Sequence, residues 1–227
     1  MSQLSRPTHF PPPEHADSDG LLLVGGQLLT AWLLDAYRHG IFPWPIGEDE
    51  MFLAWWSPDP RAILEYDSLA ISRRLQRTIQ GSRFEATCNR DFCGVIEGCA
   101  TAQRRRGNTW LVPAVVDAYR ELHRQGLAHS VEVWHEGRLA GGVYGVSIGG
   151  YFSAESKFYY HRDASKVALA YLVRHVQARG YRLLDVQQMT PHMRRLGATE
   201  IPRGDFLKRL HQVRNQSVTF GEILESA

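Results

Sequence analysis

The alternation of apolar and polar positions divides this chain into short strands and amphipathic helices. Gly20-Leu-Leu-Leu-Val-Gly-Gly26 is an apolar strand closed by glycines. Leu28 to His39 repeats apolar residues at Leu29, Trp32, Leu33, Ala36 and Tyr37, the period of a helix, with Gly40 as its stop. Ile41-Phe-Pro-Trp-Pro45 is a turn rich in aromatics and proline, and prolines punctuate the chain again up to Arg61, where a domain boundary separates residues 1–60 from 61–227. Beyond it, Arg61 to Leu64 is a strand, Leu69 to Thr78 a short helix, Phe84 to Cys88 a strand and Asp91 to Ala100 a helix. Pro113 opens a strongly periodic helix ended by Gly126, with Val115, Ala118, Tyr119 and Leu122 inward. An antiparallel meander then runs through Ala128 to Trp134, a Glu136-Gly turn, Arg138 to Ser147 and Gly150 to Tyr159. A helix begins at Asp163 and ends at Gly180. Leu183-Leu-Asp-Val-Gln187 is a buried strand expected beside Gly150 to Tyr159, and Pro191 to Leu196 and Gly204 to Gln212 are short helices joined by a loop.

This order predicts an α+β protein: a small N-terminal α/β domain, then a domain with a mixed β-sheet whose element order resembles the acetyltransferase-like (GNAT) superfold. Acetyltransferases of that fold hold the coenzyme A pyrophosphate with a glycine-rich turn after the central strand. The corresponding turn here, Tyr160-His-Arg-Asp-Ala-Ser-Lys166, has no glycine, which argues against coenzyme A.

Polar residues inside apolar strands carry the chemical signal. A buried carboxylate costs several kcal/mol, roughly, unless paired or hydrogen-bonded, so Asp185, with Gln187 two residues on along the same strand face, is either functional or a satisfied structural group. Charge adds a second signal: residues 1–60 hold 2 basic and 8 acidic side chains, and residues 61–227 hold 24 and 16. A basic surplus of that size fits either a phosphate-rich partner or a solvated basic surface. Cys88, Cys93 and Cys99 lack zinc-site spacing and read as reduced thiols packed in a core. Residues 1–19 read as an extended, proline-rich arm. With no signal peptide and no apolar run of membrane-spanning length, a cytoplasmic protein is expected.

The motifs Ile41-Phe-Pro-Trp44, Trp55-Trp-Ser-Pro-Asp-Pro-Arg61, Thr109-Trp110, Ala118-Tyr119, Ala128-His-Ser130 with Glu132-Val-Trp134, Gly141-Gly142 with Tyr144-Gly145, Glu155-Ser156 before Phe158, Ala164-Ser-Lys166, Asp185 with Gln187, and Leu196-Gly-Ala198 before Ile201-Pro-Arg203 follow one another from about Gly20 to about Leu210. Together they resemble the bacterial leucyl/phenylalanyl-tRNA–protein transferase family. The resemblance implies transfer of Leu or Phe from an aminoacyl-tRNA to the N-terminal Arg or Lys of an acceptor protein, marking it for adaptor-guided proteolysis. The donor is an activated ester, so no ATP, metal, coenzyme A or other cofactor is implied, and neither is a membrane or DNA partner.

Carried over by position, the resemblance makes Asp185 and Gln187 a catalytic pair, Asp185 orienting Gln187, with Glu155 as a second functional carboxylate suited to an ammonium group. A helix cap or salt-bridge partner is the plainer reading of Glu155. Trp44, Trp110 and Tyr119 would bind and stack the terminal adenosine, although Tyr119 is equally a core tyrosine by its helical phase. Ser156, Lys157 and Phe158 would border the amino-acid pocket. Lys157 stands where the family commonly has Met, and it is expected to reach water or to pair with a carboxylate, Glu155 being nearest in sequence. Arg73, Arg74, Arg77, Arg83, Arg104, Arg105 and Arg106 are the expected phosphate contacts. Competing readings are a related transferase with another donor or acceptor, a non-catalytic RNA-binding module, and an acetyltransferase.

Overall fold

A computed structural model describes residues 9–47, 52–104 and 109–224, the side chains of Gln103 and Arg104 excepted. Among the described residues, ten strands form two sheets. In the N-terminal part, β1 (Leu21–Val24), β2 (Phe42–Pro43) and β3 (Ala54–Trp56) make an antiparallel sheet in the order β1-β3-β2. The larger sheet contains β4 (Arg61–Ile63), β5 (Glu85–Cys88), β6 (Ala128–His135), β7 (Arg138–Ile148), β8 (Tyr151–Tyr159), β9 (Leu183–Gln187) and β10 (Thr199–Ile201), in the order β10-β4-β9-β8-β7-β6-β5. Its pairs are antiparallel except β8 with β9, so the sheet is mixed and the architecture is α+β.

Local chemistry explains the element ends. Glu136 and Gly137 both adopt positive φ, 51° and 72°, the backbone of a two-residue hairpin turn whose twist matches β6 and β7. Ser72 caps helix α2 (Arg73–Gln80) by accepting from the Leu75 amide at 3.2 Å, so this helix starts four residues later than Leu69. Leu75 and Ile79, one turn apart, are its buried face. Pro113 stands at the first turn of α4 (Pro113–Arg124), where its missing N–H has no helical partner to lose.

The large sheet is covered on both faces. One face packs against α1 (Thr30–Arg38), α3 (Phe92–Arg104) and α4, and its core joins Leu33, Tyr37, Phe42 and Trp55 of the N-terminal part to Tyr119, Tyr144, Tyr151 and Phe158. The other face packs against α2 and α5 (Ala164–Ala178) through Val143, Phe152, Val167, Leu172 and Leu184. Among the described residues, the remaining α-helices are α6 (Pro191–Arg195) and α7 (Arg203–Val213). Among the described residues, no helix is long and apolar enough to cross a membrane.

Several expectations need correction. Phe42–Pro43 and Thr199–Ile201 are strands, not turn and loop; each is too short to show a period, and β10 is an edge strand with two of its three residues exposed. Leu29 is 56% exposed, because α1 begins after it. Cys88 and Cys99 are buried, but Cys93 is exposed. The arm is pinned by Phe10, which is buried edge-on against Trp32 and Trp55.

Candidate active site

The parallel pair β8–β9 keeps register from Tyr151↔Leu183 to Ser153↔Asp185 and then parts. Two local features open it. Tyr144 pairs with Ser156 and Gly145 with Ala154, so Glu155 is the extra residue of a β-bulge. The partner position must be glycine, since a Cβ at Gly145 would run into the Ser153 carbonyl oxygen. On the other strand, Gln187 takes left-handed backbone, φ 64°, and ends β9. Between the diverging strands lies a cavity of about 170 Å³, close to the roughly 150 Å³ that admits a benzene ring. Val143, Leu169, Val186 and Met193 give it apolar walls, Glu155, Gln187 and Lys157 a polar side, and Trp44 reaches it from the N-terminal part.

Glu155 is the centre of the polar side. Its Oε1 accepts from Ser153 Oγ at 2.8 Å and from Gln187 Nε2 at 2.9 Å, and its Oε2 accepts from the Tyr119 hydroxyl at 3.2 Å. The Tyr37 hydroxyl lies 2.5 Å from that of Tyr119 and extends the chain of donors. Burial pushes the Glu155 carboxyl up to about 7, with the nearby Asp185 charge adding to the rise, while hydrogen bonds from Ser153, Gln187 and Tyr37 oppose it. Burial, and then the Glu155 charge, raise both tyrosines well above the ordinary phenol range, so they remain protonated donors. Because a carboxylate accepts from Gln187 Nε2, the amide orientation is fixed, and Gln187 Oε1 has no partner among the described residues.

Asp185 sits behind this cluster, fully buried, and both its oxygens are occupied. Arg61 grips it with two bonds, Nε to Oδ1 at 2.9 Å and Nη2 to Oδ2 at 2.6 Å. The Tyr151 hydroxyl donates to Oδ2 at 2.7 Å, and the Gln187 backbone N–H donates to Oδ1 at 2.8 Å. Asp185 therefore orients Gln187 through the backbone that must turn left-handed. Arg61 is itself 1% exposed, stacked between the rings of Phe42 and Phe206 at 4.8 and 4.6 Å, and donates to the Gly40 carbonyl at 3.0 Å. It ties the N-terminal part to β9.

The other expected site residues divide. Trp44 and Trp110 stack on each other with centroids 5.3 Å apart; Trp110 is 4% exposed and Trp44 38%, so the free aromatic face belongs to Trp44. Tyr119 is fully buried and cannot stack a base, but its hydroxyl reaches Glu155. Ser156 borders the cavity, whereas Phe158 is turned to the α3 side and packs on Gly98, in the core rather than in the cavity wall. Lys157 does not pair with Glu155. The bulge turns it toward α5, opposite Val143, where Nζ lies 3.3 Å from Met193 Sδ and burial draws its pKa down.

Of the arginines, Arg74 is bound to Asp163 by two hydrogen bonds of 2.5 and 3.0 Å, and the Arg83 guanidinium lies 5.0 Å from the Phe84 ring centroid. Arg73 and Arg77 are exposed. Arg105, Arg106 and the Arg104 side chain lie outside the described residues. Sequence reasoning missed Arg61, Tyr37, Tyr151 and Ser153. An arginine opening a strand whose next residues are all apolar was the available signal for Arg61; the others read as ordinary core or strand positions.

The family model for the leucyl/phenylalanyl-tRNA protein transferase matches residues 63–211, and that for its N-terminal domain matches residues 26–59. A leucyl/phenylalanyl-tRNA–protein transferase from Solidesulfovibrio magneticus is 48% identical over 214 residues, covering 94% of this chain and 86% of its own. One from an Anaeromyxobacter species is 50% identical over 209 residues, covering 92% and 88%. Solved structures match more loosely. A GCN5-related N-acetyltransferase-like protein from Streptococcus suis aligns at 16% identity with a TM-score of 0.37, covering 76% of this chain and 65% of its own. L-PGS from Bacillus licheniformis aligns at 13% identity with a TM-score of 0.42, covering 73% and 52%. The two family models, matched in order, and the identity shared along nearly the whole length place the chain in one family: it belongs to the leucyl/phenylalanyl-tRNA–protein transferases.

Proposed function

We propose that this protein transfers leucine or phenylalanine from aminoacyl-tRNA to the N-terminal Arg or Lys of acceptor proteins in the cytoplasm, marking them for degradation. The observation that carries this reading, beside family membership, is a near-neutral carboxyl, Glu155, bordering an apolar cavity of side-chain size. In the reaction the acceptor's α-amine attacks the ester carbonyl carbon. The new C–N bond forms as the bond to the ribose oxygen breaks; the nitrogen loses a proton and the ribose oxygen gains one.

Glu155 has the affinity for that nitrogen-bound proton. An α-ammonium titrates at about 7.7 to 8.0, within a unit or so of Glu155 at about 7, so transfer between them is nearly balanced. Gln187 offers its open Oε1 to a hydrogen of the incoming amine, while its Nε2 holds Glu155. Asp185, its oxygens fully engaged, is a positioning group. The donor's side chain occupies the cavity, and its terminal adenine stacks on the open face of Trp44, with Trp110 as backing. Residues 1–60 serve as a small domain that supplies Trp44 and Tyr37.

The test offers purified protein charged tRNAs and peptides differing only at residue one. Label from leucyl- or phenylalanyl-tRNA should appear on peptides beginning with Arg or Lys, with no ATP or acetyl-coenzyme A added. Equal labelling of a peptide beginning with Ala sinks the acceptor assignment. A second reading, an altered donor preference, draws on the Lys157 amine in the cavity wall. Lys157→Met should improve discrimination of Leu and Phe over smaller or polar donors by a modest factor, about 3- to 10-fold in the ratio of specificity constants, as one side chain's apolar contact is added. Wild-type preference for an acidic donor, abolished by Lys157→Met, would establish the second reading instead.

A further inference from the structure

A second cleft, of about 590 Å³, adjoins the donor cavity and shares Lys157 with it. Its cations converge from three elements: Arg74 from α2, Lys157 from β8, and Arg162 and Lys166 from the entry and first turn of α5. The lining contains a single carboxylate, Asp163, 3% exposed. Arg74 binds it through two hydrogen bonds, Lys166 Nζ lies 3.4 Å from it and Arg162 Nε 4.0 Å. Three cations thus share one anion, while among the described residues the Lys157 ammonium donates to a thioether, Met193 Sδ. A concave surface with this surplus concentrates anions. Arg162 and Lys166 are reachable, with side chains 81% and 38% exposed, and Tyr159, half exposed, lines the same cleft with a ring on which an unpaired base can stack.

We propose that this cleft binds the phosphodiester backbone of the unpaired nucleotides preceding the donor's terminal adenosine. The proposal rests on the transferase reading above. Contiguity selects the ligand: whatever fills the cleft continues from a group held in the donor cavity, and the polyanion attached to the acyl group is the donor's own chain. The acceptor is disfavoured by charge, since an N-terminus carrying Arg or Lys beside its own ammonium is repelled by four cations. Backbone contacts of this kind hold register without reading bases, so the cleft adds affinity and places the ester without regard to nucleotide identity.

The test compares three phenylalanyl donors with one Arg-initiated peptide: the ester of adenosine, the ester of the trinucleotide CCA, and charged tRNA. In Arg162→Ala/Lys166→Ala, the specificity constant for the trinucleotide divided by that for the nucleoside should fall about tenfold. The log–log salt dependence for the trinucleotide should flatten by about 1, as two cations no longer displace counterions. Should the double variant fold poorly, Arg162→Ala, on a mostly exposed side chain, carries the test with a smaller fall in the same ratio. An unchanged ratio, with loss confined to charged tRNA, overturns the proposal by placing these residues on the paired stem. A rise in acceptor KM at unchanged donor ratio also overturns it, giving the cleft to the acceptor. A wild type that uses none of the three donors overturns the transferase reading and this proposal with it, whereas use of all three with an unchanged ratio overturns this proposal alone.

Discussion

Asp185→Ala is expected to lower kcat at least about 100-fold while changing tRNA affinity little, since the residue aligns the reacting groups and touches no phosphate in the proposed complex. Its carboxylate holds the Gln187 backbone N–H at 2.8 Å in a left-handed conformation, which costs a residue with a side chain about 1 to 2 kcal/mol. Without that bond Gln187 relaxes toward ordinary strand geometry, and its amide leaves Glu155. The same substitution strands Arg61, a cation 1% exposed between two phenyl rings, and breaking one side of such a buried pair costs roughly 3 to 5 kcal/mol. At about 2 to 4 °C per kcal/mol for a protein of this size, the melting temperature should drop by about 6 to 20 °C. The double variant Arg61→Met/Asp185→Leu separates the two effects: removing both charges should recover much of the lost stability and none of the activity. Recovery of kcat along with stability would reduce Asp185 to a partner for Arg61. Loss confined to tRNA binding, with kcat intact, would remove it from the active site altogether.

How much of this was legible beforehand follows from what residue type encodes. Apolar periodicity placed α1, α4 and α5 and the long strands, because burying one face leaves a repeat in the sequence. It also placed β8 beside β9, two apolar runs each interrupted by a carboxylate. Elements of two or three residues, such as β2 and β10, carry no repeat and emerge only from their partners. The roles within the site were harder to read. Trp110, Tyr119 and Phe158 are large aromatics in motif positions, but whether a ring faces ligand or core depends on packing that residue type does not record, and all three are buried. Lys157 was expected to reach water or pair with a carboxylate, Glu155 being nearest in sequence; the bulge at Glu155 separates the two, and it sits where Gly145 of the neighbouring strand β7 comes close to Ser153, a backbone approach that residue type does not record. Arg61 illustrates the same limit for charge: its partner, Asp185, is 124 positions away.

Glu155→Gln should lower kcat/KM about 100-fold at pH 7 and make the acidic limb of the pH profile shallower by removing its lower step. In the wild type, the rate should climb between about pH 6 and 8, as Glu155, near 7, and the acceptor's amine, near 7.7 to 8.0, lose their protons. The variant keeps only the amine's step. A stability measurement tests the same carboxyl without substrate. An unfolded glutamate titrates at about 4.3, so between about pH 4.5 and 7 the folded protein holds a proton that the unfolded chain has released. Wild-type stability therefore falls as pH rises through that window and stays lower above it. Glutamine has no proton to hold and escapes this fall. Relative to wild type, the variant should gain up to about 3 kcal/mol in denaturant unfolding between pH 4.5 and pH 8, whatever its constant offset from rearranged hydrogen bonds. A difference that stays flat across pH would mean that burial does not raise the Glu155 carboxyl, and the near-neutral base would be lost from the mechanism. If the gain is found but the activity profile of Glu155→Gln matches wild type, the carboxyl is displaced by burial without serving as proton acceptor, and the acidic limb belongs to the acceptor's amine alone.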